Sequence, residues 1–587
     1  MTAAMRSHSC SRVGFLLALA ACLTEAPPSA KADVDPAVLQ AEARRVEVVR
    51  SASRCAVAIF AGESGGGSGV LVSPDGYALT NFHVVQPAGP AMRCGLDDGR
   101  LYDAVLVGLD PTGDVALVRL LGRDDFPFAT LTDSDLVQPG DFCFAAGNPF
   151  LLATDLKPSI SAGIVSGVHR YQFPAGTILE YTDCLQVDAA INPGNSGGGL
   201  FDAAGRLIGV NGRASFEKRG RVNVGVGYAI SANQLRNFLG MLRGGRLVDH
   251  ATLGATVSSS GDGRVLVSDI LESSDAWRRG LRYDDEIVSL AGRPVRTVNA
   301  FKNVLGTLPA GWKVPVVYRR GGRRHEVIVR LAAVHSAAEL AALVAGEMEP
   351  RPKPSGDDKP VPPSLRPAAT EAARLPESIR GLYDPRPGFV NFHFNTVERD
   401  RVARGLATSR AAAATGPWEL AGTLATGGRF RIELADEQAV IDLPTGTTRI
   451  DPQGDLAADA GPPGSGGLLA AVVLWRRVVQ GGPAALSGTT YLGKAPRDPR
   501  DLVDAAAVEL VDVLEVAVAG VTAQVAVAAD GTVSHLDLWM DPEGEPCEVR
   551  FGPPAPDDPR GLPARIDVAR GGEPFGTFLV EPAEETP

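Results

Sequence analysis

Residues 188–201 read DAAINPGNSGGGLF, with Ser196 set between Gly194-Asn195 and Gly197-Gly198. Such a stretch is either a turn that presents a nucleophile or a loop merely rich in small residues. Glycine is common in this chain, 67 of 587 residues, so its density here decides nothing alone. Glycines beside a serine do have a physical use. They permit unusual φ values and let backbone N–H groups converge on one point without side-chain obstruction. A serine hydroxyl is a poor nucleophile until a neighbouring base removes its proton, so the reading depends on what the surrounding chain supplies.

Outward from Ser196, residues 54–245 hold short β-type runs: CAVAIFAG, SGVLVSPDGYALTN, YDAVLVGLD, VALVRL, DFCFAAG, SAGIVSGV, CLQVDAA, RLIGVNGRA and VGVGYAIS. Gly and Asp-Gly turns separate them, which predicts a closed or two-barrel antiparallel fold. This part contains two histidines, His83 and His169. His83 lies in YALTNFHVV, where a strand meets a turn and a side chain can project into a cleft. His169 follows SAGIVSGV and reads as a surface-loop residue. Asp114, in TGDVALVRL, opens an apolar strand, where a desolvated carboxylate can orient an imidazole. The catalytic candidates are therefore His83, Asp114 and Ser196, with the backbone N–H groups of Gly194, Asn195 and Ser196 as oxyanion donors. Singly, each piece has a plain reading as a core histidine, a turn before a strand, or a tight turn. Their occurrence together in one β domain favours chemistry.

TNFHVV, GDVALVRL and DAAINPGNSGG resemble the three catalytic motifs of the HtrA/Deg family of trypsin-like serine proteases. GSGVLVSPDGYALTN, AAGNPF and VGVGYAIS match their surroundings, so the likeness covers roughly residues 54–240, about a third of the chain. It implies a double β-barrel with the site in the cleft between barrels, a Ser-His-Asp endopeptidase, and unfolded or misfolded envelope proteins as substrates. It also implies a homotrimer. Where basic-specific relatives place an acid at the base of the S1 pocket, this chain has Ala190, followed by Ile191, so an apolar P1 preference is expected. Asn195 replaces the aspartate that clip-activated zymogens use, which argues against activation by N-terminal cleavage. AGESGGGSGV is short, so a long regulatory loop is absent there, and FPAGTILEYTD follows no recognised motif. The rival reading is a non-proteolytic, peptide-binding or chaperone-like protein on a protease fold.

The helical spacing of NQLRNFLGMLRGG ends this part at Gly244-Gly245. Residues 246–334 then resemble a PDZ domain. LGATV, from Leu253 and Gly254 through Ala255 and Thr256 to Val257, corresponds to its carboxylate-binding loop and adjoining strand, which implies capture of C-terminal peptides by strand addition. Asp284 stands where a glycine is usual and Trp277 where an alanine is typical; aspartate tolerates left-handed backbone better than most residues. A helix in SAAELAALVAGE and a Pro-rich linker fill 335–384. Residues 385–587 are again β-patterned, as in RFRIELADEQAVIDL and SHLDLWMDP, around one helix, GGLLAAVVLWRRVV. In pattern alone they resemble the lipid-cradling half-barrels of LolA-type lipoprotein carriers. The helix reads as the plug of a sheet, and the sequence assigns this part no role.

A formal net charge of −12 gives no basic footprint for nucleic acid. The N-terminus has Arg6 and Arg12, then VGFLLALAACL, an apolar run too short to span a bilayer and shaped like a secretory signal (residues 1–32), with a short helix over 33–53 following. Ala30-Lys31-Ala32 offers a cleavage site before Asp33. Leu19-Ala20-Ala21-Cys22 offers a lipobox that would anchor the protein by a lipid on Cys22. Both readings place the mature protein outside the cytoplasm. Cys55, Cys94, Cys143 and Cys184 lie on expected strands and read as small buried hydrophobes, with up to two disulfides as the alternative. No C-x-x-C or His/Cys cluster points to a metal, and no cofactor is implied.

Overall fold

Twelve short strands between Ala56 and Ser231 close into two barrels because their apolar residues crowd inward from every side. The computed structural model describes residues 34–582 apart from 62–65, 149–154, 173–178, 217–222, 346–374, 415, 486–487, 505–507 and 555–557. The expected signal, Cys22, the Pro-rich linker and residues 173–178 of FPAGTILEYTD lie outside the described residues. Helix α1 (Pro36–Cys55) precedes the barrels; up to Val48 it belongs to a unit of its own, and Val49 onward forms one compact unit.

The first barrel runs β1 (Ala56–Phe60), β2 (Gly66–Leu71), β3 (Tyr77–Thr80), β4 (Ala91–Gly95), β5 (Leu101–Asp110) and β6 (Val115–Leu120), with α2 (Phe82–Val85) after β3. The second has β7 (Phe142–Gly147), β8 (Ser159–Gln172), β9 (Tyr181–Val187), β10 (Gly199–Asp202), β11 (Leu207–Phe216) and β12 (Asn223–Ser231). Ring orders β1-β2-β3-β6-β5-β4 and β10-β11-β12-β9-β8-β7 leave no free edge. Helix α3 (Ala232–Arg243) buries Leu235, Phe238 and Leu242 on one face, as its helical spacing expected, and stops at Gly244-Gly245. Cys94, Cys143 and Cys184 are buried and unbonded in these barrels; burial pushes the Cys94 and Cys143 thiols up to about 12.

The next unit is tied at its ends by β13 (Ala251–Thr252) on β20 (Ala332–Ala333). Between them lie β14 (Ala255–Ser259), β15 (Val265–Ile270), α4 (Asp275–Arg278), β16 (Glu286–Leu290), β17 (Arg293–Pro294), α5 (Val298–Gly306), β18 (Lys313–Arg320) and β19 (Arg323–Arg330). The sheet order is β14-β15-β16-β18-β19, so β14 is an edge strand, and α5 packs against it. Asp284 does adopt the left-handed region, at φ 62°. Helix α6 (Ala337–Ala345) follows, with a capping box in which Ser336 N–H donates to Glu339 Oε2 at 2.7 Å and Glu339 N–H to Ser336 Oγ at 3.2 Å.

The last part departs from the expectation of a single helix. Helix α7 (Phe392–Ala407) precedes the strands, and α8 (Leu468–Ala485) interrupts them. The strands are β21 (Trp418–Leu424), β22 (Arg429–Leu434), β23 (Ala439–Leu443), β24 (Gly446–Ile450), β25 (Thr490–Pro496), β26 (Leu510–Val518), β27 (Val521–Val527), β28 (Val533–Trp539), β29 (Cys547–Phe551), β30 (Arg565–Arg570) and β31 (Glu573–Val580). All eleven form one antiparallel sheet, ordered β24-β23-β22-β21-β31-β30-β29-β28-β27-β26-β25. Residues 468–475 of α8 are buried without a break, so the helix is the plug of the sheet, with Trp475 stacked on Phe551 at 4.5 Å between centroids. Among the described residues no helix is long and apolar enough to cross a membrane.

The sheet also grips the other two parts. Strand β25 lies along α3 in near backbone contact. A Cβ on Gly240 would meet the Lys494 amide nitrogen at 2.7 Å, and one on Gly493, whose φ is 115°, would meet that of Met241 at 2.9 Å. Arg243 pairs with Glu398 of α7 at 3.2 Å, and Trp312 Nε1 donates to the Lys494 carbonyl at 2.8 Å. Lys313 and Arg279 reach Asp537 and Glu545, each at 2.8 Å.

Candidate active site

His83 stands on α2 directly after β3, and two residues fix the start of that turn to the strand carrying Asp114. The buried Asn81 side chain donates to the Asp114 carbonyl at 2.9 Å, and the Phe82 amide donates to the same oxygen at 3.3 Å. Asp114 ends the 111–114 turn between β5 and β6 with φ 57°, a left-handed conformation rare for a non-glycine residue. That turn is pinned from below. Asp110 Oδ1 accepts the Gly113 amide at 2.8 Å, while its Oδ2 meets Nε2 of the buried His250 at 2.8 Å. From the other side, Glu180 N–H donates to the Thr112 carbonyl at 2.8 Å.

The Asp114 carboxylate is fully buried and faces His83. Nδ1 lies 2.8 Å from Oδ2 and 3.0 Å from Oδ1, and the His83 amide donates to Oδ1 at 3.1 Å. The imidazole is 40% exposed on its far side, toward the cleft. Burial opposes the imidazolium and is the largest single influence on it. The hydrogen bond to Asp114 and that residue's charge together outweigh burial and hold the His83 pKa above its ordinary value.

Ser196 lies between β9 and β10. Asn192-Pro193-Gly194-Asn195 closes a turn by Asn195 N–H to Asn192 O at 2.9 Å, with Gly194 at φ 99°. Gly197 must be glycine, because at φ 85° a Cβ there would meet the Ser68 carbonyl at 2.1 Å. Ser68, on β2, stitches the loop to the first barrel. Its hydroxyl donates to Gly194 O at 2.6 Å and its amide to Ser196 O at 2.9 Å. Among the described residues, the Gly194 and Ser196 amides have no protein acceptor, so both are open to an incoming oxygen. The Asn195 amide corrects the sequence expectation: it is spent on closing the turn, which leaves two of the three expected donors. The Ser196 hydroxyl donates to the Gly212 carbonyl at 3.1 Å and is not hydrogen-bonded to His83.

Of the two expected pocket residues, Ala190 is exposed, and its carbonyl accepts from Ser161 Oγ at 2.8 Å. Ile191 is buried among the core residues of the second barrel, against the bare Cα of Gly227. In LGATV, Leu253 is a core residue, Gly254 turns at φ 69°, and Ala255, Thr256 and Val257 lie on the β14 edge beside α5.

His169 corrects a second reading, because β8 continues through it to Gln172 and it is not on a loop. Its Nδ1 lies 2.8 Å from Asp183 Oδ1 and 2.9 Å from Arg293 Nη2, and Arg293 of β17 sits on the same carboxylate at 2.8 and 2.9 Å. Asn303 of α5 closes the cluster, accepting Asp183 N–H at 2.9 Å and donating to His169 O at 2.7 Å. Asp135, His169 and Asp183 are close enough to hold a metal ion, but the guanidinium of Arg293 already supplies the positive charge.

Residues 67–210 match the family model of the trypsin-like peptidase domain. The chain is 34% identical over 288 residues to a probable periplasmic serine endoprotease DegP-like of Chlamydia trachomatis, covering 47% of this chain and 56% of that protein. It is 33% identical over 307 residues to the periplasmic serine endoprotease DegP of Escherichia coli K12, covering 49% and 63%. The chain thus spans less than two thirds of the length of these relatives. A solved HtrA-type protease, AlgW with a tripeptide, is 31% identical, with 50% of this chain and 98% of that one covered and a TM-score of 0.41. Through its barrels and the motifs that carry His83, Asp114 and Ser196, the chain belongs to the HtrA family of trypsin-like serine proteases.

Proposed function

We propose that the protein is an extracytoplasmic serine endopeptidase acting on unfolded or misfolded envelope proteins. The observation that carries this reading is the pairing of His83 with a fully buried carboxylate beside a serine loop with two unused amides. Nε2 of His83, free toward the cleft, takes the Ser196 proton once the hydroxyl turns from the Gly212 carbonyl. The oxygen then attacks a peptide carbonyl, and the Gly194 and Ser196 amides receive the developing oxyanion. Asp114 holds the Nδ1–H tautomer and stabilises the imidazolium, which gives its proton to the leaving amine; water releases the acyl-enzyme by the reverse path. Ala190 supports an apolar P1 preference, since no acid stands there to hold a basic side chain. A C-terminal peptide adds to the free edge of β14, with α5 as the opposite wall.

Incubation of the mature protein with a fluorophosphonate tests the assignment, with Ser196→Ala alongside. Labelling that disappears in the variant is expected. Absence of Ser196-dependent labelling, with C-terminal peptides present or not, would favour the chaperone-like alternative. Peptides varied at P1 are expected to be cut fastest after aliphatic residues, and fastest cleavage after Arg would remove the pocket assignment.

A further inference from the structure

Tyr181, the first residue of β9, is buried, and its hydroxyl donates to Asp114 Oδ2, the oxygen that also faces His83 Nδ1 at 2.8 Å. The ring reaches this oxygen only because residue 212 is glycine. A Cβ there would meet Tyr181 Cε1 at 2.5 Å and the phenol oxygen at 3.0 Å. The start of β9 is itself held, through Glu180 on the turn that bears Asp114 and through Asp183 on Arg293 and Asn303.

The donors to the Asp114 carboxylate come from two places. His83 supplies its amide and its Nδ1. Tyr181 supplies the hydroxyl, the one donor among the described residues that does not belong to the histidine being oriented. A carboxylate held by His83 alone would turn with the ring it is meant to fix. A third contact from a separate strand gives it an orientation independent of the imidazole. The same phenol withdraws part of the carboxylate charge and moderates its pull on the His83 proton.

We propose that Tyr181 is a positioning residue of the triad, acting on His83 through Asp114, with Gly212 as the residue that admits it. This rests on the peptidase reading above. Tyr181→Phe keeps the ring and its packing and removes only the hydroxyl. In the full mature chain, kcat/KM is expected to fall about tenfold or more, the scale of a hydrogen bond to a charged group, with the loss in kcat and little change in KM. The imidazole of His83, followed by NMR titration in the Ser196→Ala background, is expected to move upward by about half a unit, because the bare carboxylate holds its proton more tightly. Gly212→Ala, which pushes the ring away, is expected to lower kcat/KM in the same manner.

A Tyr181→Phe enzyme with kcat/KM within about twofold of the parent, or with an unmoved or lowered His83 titration, would reduce Tyr181 to a core residue and overturn the proposal. The titration needs no catalysis. If Ser196-dependent labelling fails in the parent protein, the peptidase reading falls by itself, and the His83 shift still decides the role of Tyr181.

Discussion

At Asp114 and His83, the scale of single residues, charge and burial compete, and their balance sets a measurable pH limb. The proposed mechanism needs neutral His83, and its pKa is held above the ordinary value, so kcat/KM is expected to rise with pH along a limb displaced above about 6.5. Asp114→Asn removes both influences that raise the pKa and leaves burial, which lowers it. The limb is then expected to move to lower pH while kcat falls by about four orders of magnitude, as expected when the wrong tautomer is held. A pH–rate profile of the two proteins checks both signs. His83, Asp114 and Ser196 stood out as candidates in the sequence because each sits in a short motif. Ser68, Tyr181 and His250 were not, since the first two act on loops 126 and 67 residues away and the third on Asp110, 140 residues away. The Asn195 amide was misassigned because letters do not say which donor a turn consumes.

Among elements, the junction of β8, β9, β17 and α5 turns on Asp183. Burial works to raise the Asp183 pKa, yet His169 and Arg293 outweigh it and hold the carboxyl below its ordinary value. Such a group contributes stability above the ordinary carboxylate range, and that contribution is lost as pH falls through the lowered value. Arg293→Ala is expected to destabilise the protein by about 3 kcal/mol at neutral pH, because it strands a buried charge. The deficit is expected to shrink towards pH 4, where protonation relieves the carboxylate; urea unfolding at the two pH values measures it. His169 was read as a loop residue because it follows the run SAGIVSGV; the strand instead continues through it, with a φ of 53° at this position. Helix α7 was missed for a different reason. Part of its inner face is polar, with Asn395 and Glu398 buried against Gly244, Tyr491 and Arg243, so its apolar periodicity is weak.

Over the whole molecule, the barrels and the following unit were legible because strand runs and turn signals are local. The single eleven-stranded sheet was not, because β21 pairs with β31 across more than 140 residues of chain, and no local pattern states a register of that kind. The packing of this sheet on α3 depends on Gly493, whose φ and clearance both exclude a side chain. Gly493→Ala is expected to cost about 3 kcal/mol through backbone strain and overpacking, read as a lower unfolding midpoint of the full chain. An unchanged midpoint would mean that β25 and α3 do not bear on each other in solution.

The grip of β25 and α7 on α3 makes the covalent path between the halves of the chain dispensable once folding is complete. A cut anywhere in 346–374 severs the backbone yet touches neither the Arg243–Glu398 pair nor the Trp312–Lys494 hydrogen bond. Nicked protein is therefore expected to elute as one species in size-exclusion chromatography and to separate into two fragments only in denaturant. A clip within 346–374 is expected to leave a two-chain protein with His83, Asp114, Ser196, the β14 edge and the eleven-stranded sheet still joined.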